Sequence, residues 1–409
     1  MVTMTAIAAG ERRASDTRVI GLVSAAHFVS HLYGLLLPPV FALVHSESGL
    51  SYGELAAVLA SYNLVSALLQ TPTGFLVDRL GASRLLIAGL LLGSAAIAAA
   101  ALIPTYWALV ICFGVAGLAN TVYHPADYAI LSHSVAQKRI GQAFSIHTFS
   151  GLLGFAAAPP LMLISSRYLG WHGALLIAAA VGLAVALVLL AQRHVLVITP
   201  AAPAQHQHRA ARAGLRLLLT PAILKNLAFF TMLALAGGGI SNFSIVALGA
   251  LYDTPLWVAN TGLSAYLLLG ALGVLVGGVI ADRTRHHTRV AAIGFAFSAS
   301  VVLVIGTVAL GAAPLIALMA IGGLLSGIIQ PSRDMIVRAV TPAGSFGKVF
   351  GFVTTGFNVG NVVGPLFFGW LMDRGEPRAI FIAVVVITLV SLLTVSTTRV
   401  PVAKPLPAE

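Results

Sequence analysis

Twelve apolar runs alternate with polar breaks along the chain. An α-helix needs about 20 apolar residues to cross the hydrocarbon core of a bilayer, which is about 30 Å thick. The runs have lengths of that order, and the ninth contains no charged residue, which is the clearest sign of a membrane span. We therefore predict twelve transmembrane helices, at approximately 19–44, 51–77, 84–103, 105–132, 140–165, 172–191, 222–251, 256–281, 290–310, 313–339, 346–371 and 378–398.

Basic residues between the runs indicate the orientation of the chain. With the N-terminus in the cytoplasm, 20 of the 23 Lys and Arg residues lie in the tails, in the even-to-odd loops or at their margins. The other three are Arg167, Arg374 and Arg378. Because Lys and Arg concentrate on the cytoplasmic side, we expect a multi-pass protein of the cell inner (plasma) membrane with both termini cytoplasmic.

Composition narrows the class of protein further. The chain has 409 residues, of which 58% are hydrophobic and 9% charged, against roughly 25% charged in a soluble domain. The basic residues that give the net charge of +11 lie mainly in the predicted cytoplasmic segments, so membrane orientation explains them. We therefore expect the lipid bilayer as a partner and no nucleic acid. Cys112 is the single cysteine and can form no disulfide within the chain. The sequence thus predicts an all-α integral membrane protein.

An internal repeat divides the spans into two halves. Gly117, Pro125 and Gly154 recur 206 positions later, and Tyr62 and Asp78 recur 204 positions later. Two such halves, related by an axis along the membrane normal, are typical of transporters that rock around a central site. The expected domains are a cytoplasmic N-terminal tail (1–18), an N-terminal six-helix bundle (19–191), a cytoplasmic linker (192–221), a C-terminal six-helix bundle (222–398) and a cytoplasmic tail (399–409).

A distinctive loop joins the second and third spans. It reads Gly74-Phe-Leu-Val-Asp78-Arg79-Leu-Gly81-Ala-Ser-Arg84, and a degenerate copy, Gly278-Val-Ile-Ala-Asp282-Arg283, lies between the eighth and ninth spans. This loop resembles the signature loop of the major facilitator superfamily (MFS). The resemblance implies two pseudo-symmetric six-helix bundles (the MFS fold) and a secondary transporter that works by alternating access. It also implies that the loop latches the cytoplasmic side when the carrier faces outward, with gating roles for Gly74, Asp78, Arg79, Gly81, Arg84, Asp282 and Arg283; plain topology anchoring is the alternative.

Two further motifs resemble the fosmidomycin-resistance group of exporters within that superfamily. They are His27-Phe-Val-Ser-His31-Leu-Tyr33 in the first span and His124-Pro125-Ala-Asp127 in the fourth. The resemblance implies export of a drug or metabolite by proton antiport. A Gly–Pro pattern in the fifth span accompanies antiporters in the superfamily, and it is partial here because Ala158 precedes Pro159.

Asp127 is the acidic residue farthest inside the predicted spans of the N-terminal half, roughly 9 Å from the cytoplasmic end of its helix at 1.5 Å per residue. A carboxylate is costly there unless it faces a partner or a wet cavity. His124 lies three positions earlier on the same helix face, and imidazole is the side chain that changes charge nearest neutral pH. We expect a proton relay of Asp127 and His124. The alternative is a static pair between Asp127 and a basic group at the cytoplasmic gate.

Arg333 in the tenth span occupies the position that the repeat pairs with Asp127. An Arg at this depth needs a partner, and as its chain neighbour Asp334 is not expected to share its face of the helix. Arg333 then either binds an anionic group of the substrate or pairs with Asp127 across the two halves, and the cross-half pair is the preferred interpretation. Asp334 and Arg338 are four positions apart and are expected to pair with each other.

Other polar side chains in the spans are candidates for substrate contact. His27 and His31 are four positions apart and so face one side of the first span, together with Tyr33, where His147 of the fifth span can join them. Imidazole pairs suit zinc or nickel, but the sequence places no Cys cluster or acid beside them, so we expect no metal and no cofactor. The predicted substrate-binding residues are Arg333, His27, His31, Tyr33, His147, Gln330, Asn242, Asn358 and Asn361. For the histidines and the amide side chains, packing through interhelical hydrogen bonds is the alternative role.

These features favour a transporter over other membrane proteins. The sequence shows no nucleophile–base grouping and no nucleotide-binding loop, so we expect neither an enzyme nor an ATP-driven pump. The preferred prediction is a monomeric, proton-coupled secondary carrier that exports a small organic solute. The alternative is a proton-linked symporter that takes up an organic anion, such as a carboxylate, recognised by Arg333.

Overall fold

The computed structural model describes residues 2–196, 217–284, 286–341 and 346–396, with side chains from residue 16 to residue 394 except at 346–348 and in the gaps between those ranges. Most of the predicted linker (192–221) and all of the predicted C-terminal tail (399–409) therefore lie outside the described residues. The same holds for the side chains of most of the predicted N-terminal tail. All that follows concerns the described residues.

The described part of the chain is helical and contains no β-strand. Short 3-10 turns connect some of the helices. The helices are α1 (Val2–Gly34), α2 (Phe41–Ser48), α3 (Tyr52–Leu80), α4 (Ala82–Leu102), α5 (Tyr106–Asn120), α6 (Tyr123–Ser134), α7 (Ile140–Ala191), α8 (Pro221–Tyr252), α9 (Leu256–Arg283), α10 (His287–Thr307), α11 (Ala312–Ala339), α12 (Phe346–Asp373) and α13 (Pro377–Ser396).

The helices account for the twelve predicted spans. Ten helical segments are long and apolar enough to cross a membrane, and α1 with α2, bent by 41°, adds an eleventh. One of the ten contains α7, whose 52 residues would extend about 78 Å as one helix, more than twice the thickness of a bilayer core. The backbone of Gly170 is non-helical (φ 65°, ψ 176°), and this kink divides α7 into two arms that each have the length of a span. The twelve-span integral membrane fold is confirmed.

Some helix boundaries differ from the hydropathy pattern. The first predicted span ends as a regular helix at Gly34 and turns through Pro38 before α2. The fourth predicted span is divided into α5 and α6 around Thr121, because Pro125 has no N–H to donate to the carbonyl four residues earlier. At the start of the chain α1 begins at Val2, so the helix includes residues that were predicted to form the tail.

The internal repeat is visible in the helix packing. A Cβ on Gly117 of α5 would meet the backbone carbonyl of Tyr62 in α3, and a Cβ on Gly323 of α11 would meet the backbone carbonyl of Tyr266 in α9. Glycine therefore lets the two backbones touch at equivalent points in each half. These are the residue pairs that the sequence repeat matched.

The two halves contact each other at the end of the bundle opposite the start of α1 and the end of α13. Tyr52 and Gly53 begin α3, and their backbone N–H groups donate to the two carboxylate oxygens of Asp373, at 2.8 and 2.7 Å. Nearby, the side-chain amide of Asn260 donates to the carbonyl of Pro39 at 3.3 Å. A carboxylate at a helix N-terminus also interacts favourably with the helix dipole, so these contacts close one end of the interface between the halves.

Candidate functional site

A buried cluster of ionisable groups forms where α1, α6 and α7 pack together. Oδ2 of Asp127 in α6 lies 3.0 Å from Nε2 of His147 in α7, within hydrogen-bond distance, and 3.4 Å from Nδ1 of His27 in α1. All three side chains are buried, and Asp127 has no exposed surface. The expectation that no acid lies beside the first-span histidines was therefore wrong, because helix packing brings Asp127 against His27 from about 100 residues away along the chain.

Four imidazole rings surround this contact. The ring of His27 stacks on that of His147 with centroids 3.7 Å apart, and it lies 4.5 Å from the ring of His31 and 5.1 Å from that of His124. His31 and His124 are half-buried, whereas His27 and His147 are buried. The structure thus brings together all four histidines that the sequence singled out, with Asp127 among them. We call His27, His31, His124, Asp127 and His147 the histidine cluster.

Glycines of α7 make room for the cluster. A Cβ on Gly151 would lie 2.7 Å from Nε2 of His27 and 2.9 Å from Nε2 of His31, closer than carbon and nitrogen atoms pack. One turn later, a Cβ on Gly154 would meet the backbone carbonyl of Phe28. The position of Gly151 against the imidazoles is a feature that sequence reasoning missed.

Several polar atoms of the cluster have no hydrogen-bond partner among the described residues. They include Oδ1 of Asp127 and the Nδ1 atoms of His27, His31 and His147, all of them buried. A buried polar atom without a partner costs about 1–3 kcal/mol, so most such atoms in proteins are paired. The cluster therefore has unused capacity to bind protons, ions or polar groups of a ligand.

Tyr33 does not belong to this cluster, contrary to the prediction. Its hydroxyl lies 3.0 Å from Oγ of Ser94 in α4 and donates to the carbonyl of Ala178 in the second arm of α7, at 3.3 Å. Two positions along a helix rotate a side chain by about 200°, so Tyr33 points away from His31. It is a packing residue of the N-terminal half.

Arg333 is not paired with Asp127, so the preferred cross-half pair was wrong. Its Nε donates to Oδ1 of Asp334 at 2.9 Å, and its Cζ lies 4.8 Å from the ring centroid of Phe230 and 5.3 Å from that of Phe357. Asp334 does reach its neighbour and pairs with it rather than with Arg338. The cation–π contacts and the local carboxylate stabilise the guanidinium within the C-terminal half.

The predicted amide side chains are available for other contacts. Asn242, Asn358 and Gln330 are half-buried and Asn361 is exposed. None of the four makes a hydrogen bond to another described residue. The four amides lie on α8, α12 and α11 of the C-terminal half, whereas the imidazoles of the histidine cluster lie in the N-terminal half.

The predicted gating loops lie at the end of the bundle opposite the Asp373 contact. Asp78, Arg79, Arg84, Asp282 and Arg283 are exposed, and none of them forms an ion pair with a described residue. Gly74, the first residue of the motif, is a half-buried residue of α3. Residues 342–345, which precede α12, lie outside the described part of the chain.

Gly81 shows why the loop between α3 and α4 needs glycine. Its φ of 94° lies in the region that side-chain-bearing residues rarely adopt, and it both ends α3 and begins α4.

Comparison with known proteins agrees with this architecture. The chain is 24% identical over 275 residues to the fosmidomycin resistance protein of Escherichia coli (strain K12), a match that covers 65% of this chain and spans 65% of that relative's length. It is 24% identical over 409 residues to the inner membrane transport protein YajR of the same organism, covering 96% of this chain and 84% of the relative. The crystal structure of a mutant of the nucleoside transporter NupG superposes with a TM-score of 0.78 at 15% identity, covering 93% of this chain and 99% of that one.

The family itself follows from a match along nearly the whole chain. The model of the Major Facilitator Superfamily matches residues 23–260 and again residues 257–409. Together with the twelve spans and the repeated helix packing, this match shows that the chain is a multi-pass membrane protein. The chain belongs to the Major Facilitator Superfamily.

Proposed function

We propose that this protein is a proton-coupled secondary transporter that exports a small organic solute by alternating access. The observation that carries the proposal is the buried carboxylate of Asp127, held between the imidazoles of His27 and His147. No Lys or Arg among the described residues pairs with it. Its charge is therefore balanced by groups that themselves gain and lose protons, which is what a proton-carrying site requires.

The surroundings of Asp127 support a relay rather than a static pair. His124 lies on the same helix, is half-buried where Asp127 is buried, and has its ring 5.1 Å from that of His27, so it is the proposed partner in proton transfer. The titratable groups that surround Asp127 are His27 and His31 from α1, His147 from α7, and Tyr123, His124 and Tyr128 from its own helix. Substrate contact is assigned to Arg333, His27, His31, His147, Gln330, Asn242, Asn358 and Asn361.

The movement we propose is rocking of the bundles 19–191 and 222–398 about this site, in the inner membrane and in a monomer. With both termini cytoplasmic, the contact of Asp373 with α3 lies on the periplasmic side, so we propose that the described conformation is closed on that side. The exposed Asp78, Arg79 and Arg84 are then the cytoplasmic latch in its released state. Export is favoured by the similarity to a relative named fosmidomycin resistance protein.

The test is proton movement in proteoliposomes that contain the full chain and a pH indicator, with candidate solutes added one at a time. Asp127→Asn is compared with Asp253→Asn, which makes the same change at an exposed residue after α8. We expect a solute to drive proton flux in the wild type and in Asp253→Asn, and none above background in Asp127→Asn. The sign of the flux distinguishes antiport from symport. Solute movement without protons in all three proteins would overturn the proposal.

One observation favours a second candidate, proton-linked uptake of an organic anion. The guanidinium of Arg333 uses its Nε for Asp334, while its terminal nitrogens make no hydrogen bond to a described residue. Planar Arg groups suit carboxylates, which bind two N–H groups at once. The same proteoliposomes test this function: uptake of a carboxylate with protons, lost in Arg333→Gln, would replace export as the conclusion.

A further inference from the structure

Three atoms of the histidine cluster have the arrangement of metal ligands. Nδ1 of His27, Nε2 of His147 and Oδ2 of Asp127 all lie within 4.8 Å of one another. The carboxylate oxygen is 3.4 Å from the first nitrogen and 3.0 Å from the second. The three side chains come from three different helices, α1, α6 and α7, and all are buried.

We propose that His27, Asp127 and His147 bind a divalent first-row transition-metal ion, with His31 and His124 beside the open coordination position. The inference deepens the proposed function by naming a ligand of the same cluster, and it rests on that function only for the route by which an ion reaches the site.

The distances suit a small tetrahedral ion. Zinc binds imidazole nitrogen at about 2.0–2.1 Å and carboxylate oxygen at about 2.0–2.2 Å, which places neighbouring ligands of a tetrahedral site about 3.3 Å apart. The two oxygen–nitrogen distances, 3.0 and 3.4 Å, match that spacing. The rings of His27 and His147 stack at an interplanar angle of 23°, so binding of one ion by all three atoms requires these imidazoles to turn toward a common point.

The donor set selects the class of ion. Two imidazoles and one carboxylate suit zinc, nickel, cobalt and copper, whereas calcium and magnesium require oxygen ligands. A carboxylate among imidazoles also supplies negative charge to a divalent cation in a buried site, where no Lys or Arg among the described residues contacts Asp127.

The unpaired atoms of the cluster support an ion over a hydrogen-bonded network. Nδ1 of His27 has no hydrogen-bond partner among the described residues, although it faces the carboxylate at 3.4 Å, and Oδ1 of Asp127 also has none. A network that served packing alone would be expected to pair such buried atoms. A bound cation uses Nδ1 of His27 and Oδ2 of Asp127 directly.

The other two histidines of the cluster lie beside the three proposed ligands and are less buried than they are. The rings of His31 and His124 are 4.5 and 5.1 Å from that of His27, and both residues are half-buried. Three protein ligands with an open position are typical of sites that exchange their fourth ligand, while closed four-ligand cages are typical of structural ions. We therefore expect reversible binding of one ion for each chain.

Binding of Zn²⁺ to the full-length protein in detergent tests the inference. The protein is stripped of metal, carries no polyhistidine tag, and is titrated with ZnCl₂ in a calorimeter without any organic solute. Asp127→Asn and His147→Gln each remove one ligand, and His133→Gln is the matched control because His133 is an exposed histidine of α6. We expect one ion for each chain in the wild type and control, and at least about tenfold weaker binding in the two ligand variants.

X-ray absorption of the wild-type zinc complex gives an answer that does not depend on the folding of a variant. The expected zinc shell contains nitrogen and oxygen neighbours with the multiple-scattering signature of two or more imidazoles. A shell without imidazole, an absence of binding, or equal affinity in the wild type and both ligand variants would overturn the inference.

The outcome is separable from that of the proposed function. Solute-driven proton flux in a protein that binds no zinc overturns the metal site alone. If the protein binds zinc but no solute drives proton movement, the proposed function alone is overturned.

Discussion

The two halves of the molecule share a scaffold but differ in the chemistry that the scaffold holds. A Cβ on Gly154 would meet the carbonyl of Phe28, and a Cβ on Gly360 would lie 2.6 Å from the carbonyl of Thr231, which stands 203 positions after Phe28. The first helix of each half therefore packs on its fifth span in the same way. This correspondence defines which side chains occupy equivalent places.

Equivalent places hold opposite charges. The carboxylate of Asp127 contacts the imidazole of His27 in the N-terminal half, and the guanidinium of Arg333 contacts the phenyl ring of Phe230 in the C-terminal half. Asp127 and Arg333 are matched by the repeat, and Phe230 stands 203 positions after His27. Each charge is stabilised within its own half, so the halves can separate without breaking an ion pair between these two residues.

A single position controls how much room each site has. Gly151 leaves space for the imidazoles of His27 and His31, while the equivalent residue, Phe357, fills the space and covers Arg333. The two halves thus share their helix packing but differ in the side chains at these places: the N-terminal half holds a carboxylate among imidazoles, and the C-terminal half holds a guanidinium beside aromatic rings.

Replacing Gly151 with phenylalanine, the residue at the equivalent position 357, is expected to have the largest effect. In Gly151→Phe a ring would occupy the space of two imidazoles, and overpacking of this kind costs about 1–3 kcal/mol, which corresponds to roughly a hundredfold at the upper end. We expect solute-driven proton flux in proteoliposomes to fall by that order. Gly21→Phe is the control, because a Cβ on this exposed residue of α1 meets nothing within 4 Å. Unchanged flux in Gly151→Phe would show that the cluster does not need this space.

Changing the shared scaffold is expected to affect both halves equally. Gly117→Ala and Gly323→Ala each place a Cβ against a tyrosine carbonyl, and each is expected to lower the free energy of unfolding by about 1–3 kcal/mol. Denaturation of the purified protein in detergent measures both, with Gly249→Ala as a control at which a Cβ meets nothing within 4 Å. A large effect in one half and none in the other would contradict the structural equivalence.

The smallest expected effect is the interaction between the two charges. Since Asp127 and Arg333 have separate partners, the effects of Asp127→Asn and Arg333→Gln on the free energy of unfolding are expected to add within about 0.5 kcal/mol. A double-mutant cycle in detergent measures the difference. If the double variant is more stable than the sum of the two single effects predicts, by more than about 1 kcal/mol, then Asp127 and Arg333 interact. That result would support the cross-half pair, which the structure does not contain.

The fold could be predicted from the sequence almost completely, because each span has to be apolar for its full length. Hydropathy does not report backbone breaks inside a span, so the division of the fourth span near Thr121 appears only in the structure. The break at Gly170, by contrast, falls in the gap predicted between the spans 140–165 and 172–191. The repeat anticipated the contacts of Gly117 and Gly323, since close backbone approach leaves glycine as the residue that fits.

The residues of the site could be predicted from the sequence, but their contact partners could be predicted only in part. Asp127 and the histidines stood out because ionisable groups are rare in spans, yet which helices bring them together depends on packing between distant segments. Symmetry between Asp127 and Arg333 suggested a pair, although residues related by the repeat lie in different halves and need not meet. The repeat also carried an unused signal, since the register that matches Gly154 with Gly360 also matches Gly151 with Phe357.

The contact of Asp373 with α3 has a consequence for how the protein tolerates mutation. Its partners are the main-chain N–H groups of Tyr52 and Gly53, which nearly every amino acid possesses. Side-chain changes at position 52 therefore leave both donors in place unless they introduce proline, whereas loss of the single carboxylate at 373 removes both bonds together. The contact between the halves therefore tolerates most changes at position 52, but a Cβ at Gly53 would lie 2.6 Å from Oδ2 of Asp373, and loss of that carboxylate removes the contact.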